Sequence, residues 1–141
     1  MTLRWFDKQA CRLPEAYWLS FNPLLPEGGQ WFICKLGQKI DPCDVISLGA
    51  RTLHSFDQGV SYTSPQLHLA IQSLDAALVA PGRPSLLDFH NEVPNLSGGI
   101  HFNSITTSGA PISRCGLRTM PSFACYFALT LLCSDDLVIR L

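Results

Sequence analysis

The chain has 141 residues, a length typical of a single domain. Its formal net charge is −1, so it lacks the basic surface on which nucleic-acid binding depends, and we expect no nucleic-acid partner. Charged residues make up 15% of the chain, against about 25% in typical globular domains. Such a low-charge surface favours a module that packs against other domains.

The first half of the chain contains short apolar runs separated by turn residues. We interpret each run as a strand: residues 16–21, 30–36, 45–48, 53–56 and 66–74. Leu67, Leu69 and Ile71 alternate with polar or small residues, which is typical of a half-buried strand. Because turn signals recur about every 8–12 residues, the pattern predicts an all-β fold, an antiparallel sandwich-like domain.

The stretch 73–103 has the densest turn punctuation in the sequence. Pro81, Gly82 and Pro84 force a turn, no long helix fits between the breakers, and residues 100–103 begin another strand. Residues 104–116 show neither helical nor strand periodicity. Residues 123–133 form a continuous apolar run that permits a buried strand or a buried helix. This run is shorter than the about 20 residues that a membrane-spanning helix needs, so we expect no membrane partner.

The cysteines and the first residues indicate a reducing compartment. The six cysteines, at positions 11, 34, 43, 115, 125 and 133, include no CxxC pair, which argues against a zinc ribbon or a thioredoxin-type site. Residues 2–10 lack the apolar core of a secretory signal. We therefore expect no signal peptide, reduced and chemically inert thiols and, by default, a cytoplasmic chain.

Candidate chemistry is sparse, and no P-loop, HExxH, GxSxG or EF-hand pattern occurs. Asp88 and His90 lie on one face of a predicted strand and could meet His101 at a metal ion, but two neighbouring ligands are a weak signal, and we predict no metal site. Trp18 and Trp31 suit sugar stacking or core packing, and their apolar neighbours favour the core. The carboxylates are scattered and mostly near turns, so we interpret them as turn and capping residues and predict no catalytic residue. They include Glu15, Glu27, Asp41, Asp44, Asp57, Asp75, Asp88 and Glu92.

Five segments carry a resemblance to a known family. They are LPEAYWLSF (13–21), KLGQKIDPCDVISLG (35–49), LHSFDQGVSY (53–62), SLDAALVAPGRPSLLDF (73–89) and GGIHFN (98–103). In this order they resemble the C-terminal region of a microbial family, domain of unknown function 5054, whose N-terminal part is similar to the α-mannosidases of glycoside hydrolase family 38. The resemblance divides the chain into a lead-in (1–12), a β-rich region (13–103) and a tail (104–141).

The resemblance implies a parent protein with a retaining mechanism, a carboxylate nucleophile and a zinc ion that holds the sugar. Those groups belong to an N-terminal domain outside this chain, so we expect zinc only there and no cofactor here. The predicted function is a non-catalytic fragment of an α-mannosidase-like protein, whose partners are the remainder of the parent and, in the intact parent, a glycan. His101 and Asn103 are the candidate ligand-binding residues. The alternatives are a stand-alone carbohydrate-binding or protein-interaction module and, with least support, a small hydrolase.

The resemblance also predicts a shift of reading frame after Asn103. In the family the next residues are Leu-Tyr-Asn-Asn-Val-Trp-Gly-Thr-Asn-Phe-Pro-Met-Trp, a segment rich in aromatic and amide groups, whereas this chain has SITTSGAPISRCG. Codons exist for SITTSGAPISRCG that, after one added nucleotide, encode the family segment residue for residue. We therefore hypothesise that residues 104–141 are translated out of frame and form an irregular tail that was never selected to pack.

Overall fold

The computed structural model describes residues 2–8, 15–86, 90–107 and 120–133. Within these residues ten strands form two antiparallel sheets, which confirms the predicted all-β, sandwich-like fold. One short 3-10 turn, Leu96–Gly98, is the single helical element there, and no described helix is long and apolar enough to cross a membrane. The strands are β1 (Thr2–Lys8), β2 (Glu15–Phe21), β3 (Gln30–Lys35), β4 (Gln38–Ile40), β5 (His54–Ser55), β6 (Gly59–Thr63), β7 (Leu67–Ser73), β8 (Leu78–Pro81), β9 (Ile100–Thr107) and β10 (Met120–Cys133).

The two sheets differ in width. The larger has the order β1-β10-β7-β6-β3-β4, and the smaller has the order β2-β9-β8-β5. On β7 the side chains of Leu67, Leu69 and Ile71 are buried, while those of His68 and Gln72 are more exposed. The predicted period of two is therefore confirmed, because successive side chains of a strand point to opposite faces of its sheet.

A cluster of phenylalanine rings joins the two sheets. The Phe102 side chain is fully buried, and its ring centroid lies 5.7 Å from that of Phe21, 5.4 Å from that of Phe56 and 5.4 Å from that of Phe127. Phe127 belongs to the six-stranded sheet, whereas Phe21 and Phe102 belong to the four-stranded sheet. Burying each such ring contributes about 1.5–3 kcal/mol. Trp31 is also buried in this core, which confirms core packing for that tryptophan.

The prediction of a strand at residues 45–48 is wrong. This segment is an irregular turn, in which the Gly49 amide donates to the Ile46 carbonyl at 2.9 Å and Leu48 has a φ of 65°. The Arg51 guanidinium donates to the carbonyls of Cys43 and Val45 at 3.3 Å each. Because those two carbonyls accept hydrogen bonds from a side chain, they do not pair with a neighbouring strand, and the segment is not a strand despite its β-propensity.

The structure describes part of the tail. β9 runs through the predicted boundary after Asn103, with Asn103 opposite Trp18 and Ile105 opposite Tyr17 on β2. Ser104 is therefore an extra residue, a β-bulge in this ladder. The apolar run at 123–133, for which strand and helix were both open, belongs to β10 and lies between β1 and β7. The frame-shift hypothesis stays a prediction, because strand pairing uses the backbone of any sequence.

Candidate functional site

The predicted ligand-binding residues lie on the outer face of the four-stranded sheet. β9 is an inner strand between β2 and β8, and its residues 100 and 102 face the core. His101 is therefore on the opposite face, paired with Ser20 on one side and Ala80 on the other. Asn103 is on the same face, two residues along, opposite Trp18. The fold thus brings both predicted residues onto one surface of the sheet.

The His101 side chain is buried and only partly hydrogen-bonded. It is 6% exposed, and its Nδ1 atom lies 2.7 Å from the Ser20 Oγ atom. Its Nε2 atom is buried and has no hydrogen-bond partner among the described residues. Burial lowers the pKa of His101, and the nearby backbone carbonyls of Gly82 and Gly98 oppose part of that shift. The imidazole is therefore neutral at pH 7, so one ring nitrogen donates and the other accepts.

Two backbone segments approach closely beside this histidine. The Gly82 amide donates to the Gly99 carbonyl at 2.8 Å, and Gly82 has a φ of 82°. A Cβ atom added at Gly98 would overlap the Gly82 carbonyl. Glycine is needed here because a side chain would push the two segments apart.

The burial of the two predicted residues restricts what they can contact. Asn103 is 7% exposed, close to the 6% of His101, while Trp18, beside Asn103 on β2, is half-buried and is not part of the buried core cluster. Because both side chains are buried, a ligand reaches them only if the segments around them, including Gly82 and Gly98, move apart. Ser20, which the sequence did not single out, is the side chain that hydrogen-bonds His101, and it lies 81 residues away in the chain.

Three of the carboxylates that the sequence places near turns accept hydrogen bonds from backbone amides. Asp41 and Asp57 accept hydrogen bonds from the backbone amides of Cys43 and Leu36, at 2.7 and 3.0 Å, and Asp75 accepts one from the Tyr126 amide at 2.7 Å. The Asp41 contact is local and fits the predicted turn role, whereas Asp57 and Asp75 bind amides 21 and 51 residues away and hold separate segments together.

The remaining metal and cysteine candidates are only partly described. Asp88, one member of the Asp88–His90 pair, lies outside the described residues. In the described ranges no three His, Cys, Asp or Glu side chains lie together as a metal site. Cys34 and Cys43 are free thiols, and burial raises the pKa of Cys43, with further raising by the Asp41 carboxylate.

The fold defines the chain as a protein of the antiparallel β-sandwich-like class. Comparison of its sequence and structure with protein-family models, curated proteins and solved structures finds no match.

Proposed function

We propose that this chain is the non-catalytic β-sandwich part of an α-mannosidase-like protein of carbohydrate metabolism. The supporting observation concerns the five segments that resemble the C-terminal region of such proteins. Together they supply β2, β5, β8 and the first half of β9, which are the strands of the four-stranded sheet, and also β4 and most of β6 in the six-stranded sheet. Segments that match in order and contribute to both sheets of one sandwich support a shared structural unit.

Two strained leucines support the view that the chain belongs to a larger protein. Leu36 and Leu48 have φ angles of 52° and 65°, and both side chains are 83% exposed. A left-handed conformation costs a leucine about 1–2 kcal/mol, and neither side chain buries apolar surface within the described chain. Residues kept in such a conformation point to a contact elsewhere. Under this proposal that contact is with the remainder of the parent protein.

The proposal gives His101 and Asn103 a role only in the intact parent. There they contact a glycan. If the tail of this chain is out of frame, the intact parent carries the family segment after Asn103 in place of the residues found here. The His101 ring makes this contact under the proposal, once the Gly82 and Gly98 backbone beside it moves away. Zinc and the carboxylate nucleophile belong, under the same proposal, to the parent's N-terminal domain.

Sequencing of the gene tests this proposal directly. We expect an open reading frame upstream of the Met1 codon that encodes a zinc-site glycosidase domain. We also expect codons after Asn103 that yield the family segment in the neighbouring frame. Absence of both features would refute the proposal.

An activity assay with the chain alone complements the sequencing. The purified chain should not hydrolyse an aryl α-mannoside. Hydrolysis would instead favour the small free-standing hydrolase.

A stand-alone carbohydrate-binding module is the second candidate function. It is favoured by an open cleft beside Asp41, which lies apart from the His101 site and has side chains suited to a sugar.

A further inference from the structure

An open cleft of about 510 Å³ lies at one end of the sandwich. Three segments meet there: the β2–β3 loop (22–29), the turn that follows β4 (41–43) and the 3-10 turn that precedes β9 (96–98). Small-molecule sites in proteins typically occupy about 300–1,000 Å³. The cleft is therefore large enough for one sugar unit. It is separate from the His101 site, with which it shares only Gly99 among the described residues.

The floor of the cleft is rigid and aromatic. Trp31 and Tyr62 are 4% and 5% exposed, and their ring centroids lie 5.4 Å apart in an edge-on arrangement. The Tyr62 hydroxyl donates to the Pro26 carbonyl, which ties the β2–β3 loop to β6. A Cβ atom at Gly29 would overlap the Tyr62 ring, so the loop lies directly on that ring. These contacts form the cleft without any ligand.

Two polar side chains at the rim hold each other in place. The Asp41 Oδ1 atom accepts from the Cys43 amide at 2.7 Å, and its Oδ2 atom accepts from the Gln30 Nε2 atom at 2.7 Å. The carboxylate therefore cannot rotate freely, yet each oxygen keeps a lone pair, and Gln30 keeps its carbonyl and its second N–H. The Asn22 amide and the Ser97 hydroxyl line the cleft from the other two segments.

The chemistry of the lining selects the ligand. None of the described residues that line the cleft is a Lys, Arg or His, and the nearby Arg51 guanidinium is occupied by backbone carbonyls, so the lining offers no cation to a phosphate or a carboxylate. A sugar hydroxyl both donates and accepts, which matches a carboxylate beside amide side chains, whereas an ammonium group would use only the acceptors. Leu24 and Leu25 add apolar surface suited to the C–H face of a sugar ring.

We propose that this cleft is a binding site for a neutral saccharide unit, held by hydrogen bonds from its hydroxyls to Asp41 and Gln30. This deepens the second candidate function, a carbohydrate-binding module, and the choice of a mannose-type ligand rests on the proposed α-mannosidase-like parent. The described residues that line the cleft all lie between 22 and 99.

Titration of the full chain with methyl α-mannoside, followed by ligand-observed NMR or calorimetry, tests the site. Asp41→Asn should weaken binding at least about tenfold, because hydrogen bonds to a charged group are the stronger ones. Gln30→Ala should weaken binding about threefold or more. Gln38→Ala, at an exposed glutamine outside the cleft, is the matched control and should bind like the original chain. Near-ultraviolet circular dichroism checks that each variant is folded. If Asp41→Asn unfolds the turn, the affinity of Gln30→Ala for the mannoside decides whether the sugar binds in the cleft.

The possible outcomes separate this site from its rivals. Loss of binding in the cleft variants, with Gln38→Ala unaffected, supports the proposal. Binding that survives both cleft variants but is lost in His101→Gln places the sugar at the outer face of the four-stranded sheet and overturns it. Binding of inorganic phosphate or ethylammonium in preference to the mannoside also overturns it, as does no binding of any neutral sugar. None of these results changes the gene sequence, which tests the proposed function separately.

Discussion

Replacing Phe127 by alanine tests whether β10 packs in the sandwich as described. The Phe127 side chain is 3% exposed, and its ring centroid lies 5.4 Å from that of Phe102 and 5.7 Å from that of Phe21. Both of those rings belong to the opposite sheet, so the substitution removes a contact between the sheets. We expect a loss of about 3–5 kcal/mol in the free energy of unfolding, because lost burial and the remaining cavity add. Urea denaturation of the full chain measures this loss.

Tyr126→Ala is the matched control for that experiment. Tyr126 precedes Phe127 on the same strand, points to the other face and is 44% exposed. Its backbone amide, which donates to Asp75, is kept in the variant. We expect a change within about 1 kcal/mol, as for most surface substitutions. Equal effects of the two substitutions would refute the placement of Phe127 in the core, and with it the position of β10.

Three further predictions concern the turn, the histidine and the cleft. Leu36→Asn should raise the free energy of unfolding by about 1 kcal/mol, because asparagine tolerates the left-handed first position of the two-residue β3–β4 turn. The control is Leu74→Asn, at a leucine that is 81% exposed but has no positive φ. Thermal melting should show a gain in stability for the first variant and none for the control. Burial lowers the pKa of His101 from its ordinary 6.5, so the unfolded chain takes up a proton first and stability falls as the pH drops below about 6.5. His101→Gln should flatten this fall between about pH 7.5 and pH 5.5, and an unchanged slope in urea midpoints would contradict the assignment. Gly29→Ala should destabilise the chain and shift the tyrosine signal in near-ultraviolet circular dichroism, because the added Cβ overlaps the Tyr62 ring. An unchanged spectrum would show that the β2–β3 loop does not contact the Tyr62 ring.

The strands with one buried face could be predicted from the sequence. The predicted runs at 16–21, 30–36 and 66–74 correspond to β2, β3 and β7 within one or two residues at either end. In such strands burial places an apolar side chain at alternate positions, and the pattern survives in the sequence. The same alternation fixes which side chains face the core, so the sandwich-like class followed from these strands and the spacing of turns.

Two short strands could not be predicted in this way. β4 has three residues at the edge of its sheet, and its Gln38 and Lys39 side chains are exposed, so it has no buried face that would leave a pattern. β8 is an inner strand of four residues that ends at Pro81, and the proline indicated only the turn that follows. Residues 45–48 show the opposite error, since their β-propensity is overridden by the hydrogen bond from Arg51 to the Val45 carbonyl.

The two candidate sites were predictable to different degrees. The resemblance singled out His101 and Asn103, and alternation along a strand already placed them on one face. Their burial was not predictable, because it depends on Ser20 and on the glycine segments that approach from elsewhere in the chain. The cleft beside Asp41 was not visible at all. Its lining comes from three separate segments, and only the fold brings Gln30 within 2.7 Å of Asp41.

The side chains of β10 bear on whether the tail was selected with the rest of the chain. β7 carries His68 and Gln72 on the face that points away from the core, as a half-exposed strand should. β10 pairs with β7 through residues 127–133, yet Leu132 on its outward face is 62% exposed, and Leu131 on the opposite face is 38% exposed. The exposed Leu132 leaves apolar surface in water, whereas Thr130 on the same face is polar and exposed. The reading frame after Asn103 stays a prediction that sequencing of the gene tests.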